Sequence, residues 1–407
     1  MRFDVFFSLT HAPAGGVLPS EGEMIRNFFA QVEAADRLGF ECAWIAESHL
    51  STQVQKGNPN PVVPHFEGEI GINVDVFQLA HQVFSRTSNI EVGSAVMNIL
   101  CNGGPVAAAE RVAAFCALHG ANPEEARQLH IGFSAGRFDF MNRAYGIVPR
   151  NAVEEAAWPA LKGKVFGEAC NIFLRLLKGE TVGSESVPAT TLTRGDFRSE
   201  EDWECVRTNW LETYGQEAPE VLEIEPRFIF EPLKIIPQDW RRELLDLVVG
   251  SHDPNLQEAL NQHLPVKVFN LSITDPELIE DTHARMEQSF HDDGGAWERG
   301  FMPRTTMVFL DPDGEAARAR AQMALGEYWK ALEGTLDVAK VEKAAGNALV
   351  GTPAEVIQQA TQRFHPDERL MLWFDFQDHD CERVIRGLKT FQEEVAPALK
   401  RASQANA

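Results

Sequence analysis

The chain has 407 residues, 44% of them hydrophobic, and a formal net charge of −23 from 60 acidic against 37 basic residues. Such a chain builds a large core under an acidic surface, which repels phosphate backbones and anionic lipid and argues against nucleic acid and membrane as partners. Its six cysteines (Cys42, Cys101, Cys116, Cys170, Cys205 and Cys381) include no CxxC pair, and there is no leader-like start and no long uncharged apolar run, so a cytoplasmic protein with free thiols is expected.

Eight short apolar segments follow one another along the chain: "FDVFFSL" (3–9), "CAWIAE" (42–47), "IEVGSAV" (90–96), "LHIGFSA" (129–135), "LLDLVVG" (244–250), "PVKVFNL" (265–271), "TTMVFLD" (305–311) and "LMLWFDF" (370–376). Several are apolar at consecutive positions, as strands covered on both faces are. Helical patterns lie between them. "SEGEMIRNFFAQVEAADRLGF" carries a capping-box spacing at Ser20 and Glu23 and stops at Gly39. "VDVFQLAHQVFSRT" follows Asn73 or Asp75 as cap, and "PVAAAERVAAFCALHG" runs from Pro105 to Gly120. The stretch from Asn151 to Glu180 is helical with an expected break near Pro159, and "PAEVIQQATQRF" and "CERVIRGLKTFQEEVAPALK" flank the eighth strand.

Eight strands alternating with helices point to an α/β fold, a (β/α)8 TIM barrel, with residues 1–400 as one domain and 401–407 as a tail. A doubly wound sheet is the competing architecture, but "SLTHAPAGG" after the first strand is not GxGxxG. The polar stretch 181–243 is expected to be an insertion between strands 4 and 5 that acts as a lid, with a hairpin at "RFIFEPLKII".

In such a barrel the working face lies at the carboxyl ends of the strands. Polar residues collect there: Thr10 and His11, then Glu47, Ser48 and His49, then Ser94, Asn98 and Asn102, then Ser134 and Arg137, then Gly250, Ser251 and His252, with Asn270 and Asp375 on later strands. Glu47 and His49 are two apart and face the same side of a continuing strand. A carboxylate holding one imidazole tautomer makes a candidate acid–base pair, although a rim pair that only anchors a loop has the same spacing. "GFSAGR" (132–137) suits close approach of a flat ligand or an ordinary tight turn, and "VVGSHDPN" (248–255) suits an anion site or a plain helix cap. No HExxH or comparable spacing suggests a metal.

Taken together, "AADRLGFECAWIAESHL", "IEVGSAVMNILCNGGPVAAAERVA", "LHIGFSAGRFDFMNRAYG" and "LVGTPAEVIQQATQRF" with "LMLWFDF" resemble, in order and spacing, the bacterial luciferase-like flavin monooxygenases. The resemblance spans nearly the whole chain outside 181–243. It implies a (β/α)8 barrel that binds reduced FMN, or the deazaflavin F420 in one branch, and an FMN- and O2-dependent monooxygenase acting on a small organic substrate with a separate flavin reductase. An F420-dependent oxidoreductase or a non-catalytic flavin-binding subunit are the alternatives. It implies flavin contacts at Ala95–Val96, where the family has a non-prolyl cis peptide, and at Ser134, with Gly250 and Ser251 at the flavin phosphate. The family's Glu-His-His reads Glu47, Ser48 and His49 here, so the catalytic imidazole of luciferase is replaced by Ser48 and only His49 remains. A phosphate-binding arginine aligns with Ala135, leaving Arg137, Arg143 or Arg150 to substitute. Light emission is not implied. An apolar mouth from Phe6, Trp44, Phe133, Trp373 and Phe374 is expected, with most of the five serving as plain core, and a homodimer is the family's usual assembly.

Overall fold

Side-chain parity along the first strand sets out the architecture. In β1 (Arg2–Phe7), Phe3, Val5 and Phe7 enter the layer between sheet and helices, while Phe6 packs on the other face with Cys42, Trp44, Val248, Phe269 and Met371. Both faces are buried, which is why the strand reads as an unbroken apolar run. The computed structural model describes residues 1–56, 68–136, 139–332 and 346–406. The further strands are β2 (Cys42–Ile45), β3 (Glu91–Asn98), β4 (Leu129–Ser134), β5 (Thr190–Leu192), β6 (Leu222–Ile224), β7 (Leu245–Val249), β8 (Lys267–Val268), β9 (Arg304–Leu310), β10 (Leu349–Gly351) and β11 (Arg369–Trp373).

Nine of these form one parallel sheet in the order β10-β9-β11-β1-β2-β3-β4-β7-β8. Past β8, Asn270 bridges Arg304: the Asn270 amide donates to Pro303 O at 2.9 Å and Thr305 donates to Asn270 O at 3.0 Å. The sheet therefore curls back until β8 meets β9. Eight of the strands match the eight apolar segments of the sequence; the ninth, β10, is only three residues long and was not expected.

The inner space is filled from the bottom. At the amino-terminal end, Asp4 accepts from Trp44 Nε1 (2.7 Å) and pairs with Arg369 (2.6 Å). Beside them His130 sits between Asp246 and Glu91, at 2.7 Å from each, and Lys267 reaches Asp246 at 2.8 Å. Groups this buried are tolerable only when paired. Trp44 lies directly on Gly93, where an added Cβ would come within 2.4 Å of the indole, so a side chain there would displace the ring.

Helix ends follow the chain's own signals. Ser20 caps the helix Glu21–Leu38 through Glu23 N, and Gly39 closes it at φ 80°. Asp75, one of the two residues read as competent to cap, caps Val76–Arg86. The helix Ala152–Lys178 does not break at Pro159: it runs on for 27 residues. Burial of Leu161, Val165, Ala169, Ile172 and Phe173 along it outweighs the one backbone hydrogen bond that proline removes. No hairpin forms at 227–236; Leu233 instead makes a two-way bridge with Val182, both bonds 2.9 Å. Within 181–243 the helix Glu200–Tyr214 and the antiparallel pair β5–β6 are ordered, with the helix and β5 packed on Ala152–Lys178. Among the described residues no helix is long and apolar enough to cross a membrane.

The floor network carries a pH signature. Burial disfavours the His130 imidazolium, but its two carboxylate partners outweigh this and raise its pKa. Burial likewise opposes ionised Asp246, and His130 and Lys267 overcome it, holding the carboxyl far below its usual range. The His130 contribution is thus complete below about pH 6.5 and fades as pH rises through the raised value, whereas the Asp246 contribution is present above about pH 3.9 and fades as pH falls through its depressed value. His130→Ala should lower unfolding free energy by about 3–5 kcal/mol at pH 6 in urea titrations, with the gap to the parent protein narrowing as pH increases.

Candidate functional site

Above Trp44 the strands end in small or polar residues, and a cavity of about 570 Å³ opens at their carboxyl ends. Each strand sends inward the residues of the same parity as Phe6. Phe6, Ser8 and Thr10 follow from β1, Ala46 and Ser48 from β2, Phe269 and Leu271 from β8, and Trp373 and Asp375 from β11. In β3 the pairing to β4 shifts between Ser94 and Met97, and at this irregularity the adjacent residues Ala95 and Val96 both line the cavity. The Ala95–Val96 peptide is cis, as the resemblance implied. Next to it are Ser134 and Gly250; a Cβ on Gly250 would meet Ser134 Cβ at 3.3 Å and take up space beside the cavity.

The expected site residues fall into three groups. Ala95, Val96, Ser134, Gly250 and Glu47 line the cavity. His49 and Ser251 do not. His49 is buried and donates from Nε2 to Glu47 Oε1 at 3.1 Å, while Asn102 Nδ2 lies 3.5 Å from its other ring nitrogen, an arrangement that suits the Nε2–H tautomer. Tyr145 in turn donates to Asn102 Oδ1 at 2.7 Å, and the Val76 amide donates to Glu47 Oε2 at 3.2 Å. The i, i+2 pairing is therefore present, but it presents Glu47, not the imidazole, to the cavity. Ser251 Oγ accepts from Asp253 N at 3.3 Å, and Asp253 caps the short helix Pro254–Leu260. Arg137 lies outside the described residues. Arg150 is engaged with Glu154, and Arg143 is exposed. Of the five aromatics expected at the mouth, Phe6 and Trp373 line it; Trp44, Phe133 and Phe374 are core. No residue of 181–243 is among the lining residues.

On the β11 side, Asp375 is where the sequence places a polar rim residue, but it was not among the expected site residues. Asp375 stands between Trp373 and Gln377, its Oδ2 accepting from the Ser8 amide at 3.3 Å while Oδ1 has no partner. Burial pushes this carboxyl up to about 7, against the Ser8 amide and the nearby Trp373 indole, which favour the ionised form. The indole bears on the carboxyl without meeting hydrogen-bond geometry, so Trp373 Nε1 is itself unpartnered, as is Thr305 Oγ1. The available signal was an acid embedded in the apolar run "LMLWFDF". Cys101 is buried behind the Glu47 side, its thiol pushed up to about 12 by burial. Among the described residues no cluster of His, Cys, Asp and Glu has the makings of a metal site.

Residues 1–120 match the family model for luciferase-like monooxygenases. The resemblance read from the sequence is borne out over that part. Similarity in fold extends over the full length. Monooxygenase RslO1 from Streptomyces bottropensis shares 18% identity, with 98% of this chain and 99% of that chain covered at a TM-score of 0.66. The oxygenating constituent of 3,6-diketocamphane monooxygenase from Pseudomonas putida, solved with FMN, shares 14% over 98% of each chain at 0.57. An F420-dependent secondary alcohol dehydrogenase, solved with an F420-acetone adduct, shares 12% over 98% of each chain at 0.56. At these identities the likeness is one of fold. No curated protein matches the chain.

The rings of Phe6, Phe269, Trp373 and Phe376 are among the lining residues, and glycines at 71 and 250 leave room beside the cavity. The lining residues include no Lys or Arg among those described, so a phosphate would have to meet its cation outside the lining described. Asp375 also predicts a stability profile. The unfolded chain releases this proton near pH 4 and the folded one near pH 7, so between those values the folded state binds more protons and stability falls as pH rises. Asp375→Asn should remove that decline and leave the variant more stable than the parent at pH 8, by on the order of 1 kcal/mol in denaturant titrations.

Proposed function

We propose that the protein is a two-component flavin-dependent monooxygenase: reduced FMN, delivered by a separate flavin reductase, and O2 act on a small organic substrate in the cavity. The observation that carries this reading is the cavity itself. It stands at the carboxyl ends of parallel strands, lined by Ala95, Val96, Ser134 and Gly250 from β3, β4 and β7 and by the rings of Phe6 and Trp373 from β1 and β11. In this reading the first wall holds the flavin ring, and Arg137 and Ser251 serve its phosphate. Reduced FMN, when bound, supplies the electrons with which O2 is activated. The protein's share is to orient both reactants and keep water out, which the rings of Phe6, Phe269 and Trp373 favour. Glu47 is the acid–base candidate because it reaches the cavity. His49 positions it from behind. The chain acts as one domain over residues 1–400, as a cytoplasmic homodimer. Residues 181–243 line nothing here and would act as a lid only by moving onto the mouth.

F420-dependent hydride transfer is the alternative on the same barrel, supported by the fold likeness to the secondary alcohol dehydrogenase. A flavin-binding subunit without chemistry is a further reading, favoured by Ser48 facing the cavity where the resemblance expects an imidazole. Titration with FMN and with F420 separates the cofactors, and O2 uptake with reduced FMN separates catalysis from binding alone. With aldehydes, sulfonates and aromatic compounds screened under a generic reductase, Glu47→Gln should lower kcat by about 100-fold and His49→Ala by about tenfold. Both variants should bind FMN within about threefold of the parent, a change worth less than 1 kcal/mol. A Glu47→Gln enzyme with parental kcat would remove the carboxylate from the chemistry.

A further inference from the structure

The loop after β11 is tied to the loop after β1 by one imidazole, which also borders the cavity. His379 lines the cavity and donates from Nε2 to Ala12 O at 2.7 Å. A carbonyl oxygen only accepts, so this bond holds the proton on Nε2 and leaves Nδ1 of the neutral ring with a lone pair. Nδ1 has no partner among the described residues, and unlike Asp375 Oδ1 and Trp373 Nε1 it is not enclosed by protein. The acids on either side of it are engaged within the loop. Asp378 takes two bonds from Arg383, both 2.6 Å, and accepts from the Asp380 amide at 2.9 Å. Asp380 caps the helix Cys381–Thr390. Both tied loops also hold a non-glycine residue in the left-handed region, Gln377 at φ 50° and Leu9 at φ 47°. Such residues cost free energy and persist where surrounding contacts impose them, and they concentrate at ligand sites.

We propose that His379 is a substrate-binding residue whose Nδ1 accepts a hydrogen bond from a hydroxyl group on an otherwise apolar, aromatic substrate. The rings of Phe6, Phe269, Trp373 and Phe376 in the lining take the apolar part. No Lys or Arg is among the described lining residues, so an anionic group finds no cation there. The lining acids already receive donors from the protein: Glu47 from His49 and the Val76 amide, Asp375 from the Ser8 amide. A second imidazole, His252, is bonded to Asn270 Oδ1 at 3.0 Å, but it follows Gly250, on the side that the flavin reading gives to the cofactor. The inference rests on that reading for this assignment of sides and deepens it by naming the substrate class.

The test measures binding of 2-naphthol, 2-methoxynaphthalene and 2-naphthoate to the full chain by quenching of tryptophan fluorescence at pH 8, above the ordinary titration range of an imidazole. The naphthol should bind about tenfold more tightly than the ether, which has no donor, and the naphthoate should bind least. His379→Gln keeps a donor for Ala12 and has no acceptor where Nδ1 stands, so it should bring the naphthol-to-ether ratio to within about threefold of unity while still binding the ether. His379→Asn, whose Oδ1 falls near the position of Nδ1, should retain the preference. In 15N NMR spectra the Nδ1 resonance of His379 should be that of an unprotonated nitrogen and should move with naphthol but not with the ether. An unchanged ratio in His379→Gln, tightest binding of the naphthoate, a protonated Nδ1 in the free protein, or no binding of any probe would overturn the proposal. Anaerobic titration of reduced FMN into the same samples reports on the flavin reading separately: its failure registers as absent FMN binding whatever the probe ratios are.

Discussion

Trp44 is the residue on which the interior is organised. Its indole rests on Gly93, donates to Asp4, and through Asp4 is tied to Arg369 on the far side of β1. This single ring separates two environments. Below it the amino-terminal end is closed by paired charges from β1, β3, β4, β7, β8 and β11; above it β2, β3, β4 and β7 lead into Ala46, Ala95, Ser134 and Gly250, which are too small to fill the space. A parallel barrel is normally packed through by layers of side chains. Here the top layer is replaced by small residues, and the cavity is what remains.

The position of the cavity follows from strand parity more than from any motif. Because side chains alternate faces, fixing Phe6 inward fixes Ser8 and Thr10 inward as well, and pairing to β2 and β11 then fixes Ala46, Ser48, Trp373 and Asp375. Parallel pairing puts all these strand ends on one rim. The β3 irregularity departs from this alternation and brings the adjacent residues Ala95 and Val96 both to the cavity. The lining from β3, β4 and β7 is thus built of Ala95, Val96, Ser134 and Gly250, while that from β1 and β11 carries the rings of Phe6 and Trp373.

Much of this was legible in the sequence because apolar runs and caps are local signals. Eight strands, the caps at Ser20 and Asp75, and the glycine stop at Gly39 all depend on residues within a turn or two of one another. What was missed depended on tertiary context. Pro159 is accommodated because the rest of its helix is buried. The segment 227–236 looks like a hairpin in isolation but finds a better partner in Val182, more than forty residues upstream. Asp375 was visible as a rim residue, but its significance depends on the Ser8 amide and on an indole that stops short of bonding it, neither of which the one-dimensional pattern can hold.

The residues past β2 bear on the acid–base group. The sequence offers Ser48 and His49 as neighbours, and only Ser48 lines the cavity. Ser48 lines the cavity, and His49 turns behind the wall into the Glu47, Asn102 and Tyr145 cluster. An imidazole at 48 would stand in the cavity itself, whereas one at 49 can act there only through Glu47. Exchanging the two residue types between adjacent positions therefore changes more than the identity of a base: it converts a histidine that would meet the substrate into one that orients a carboxylate. The chemistry available at this rim is set by which of the residues past β2 reach the cavity, and in this chain Glu47 is the titratable one among them.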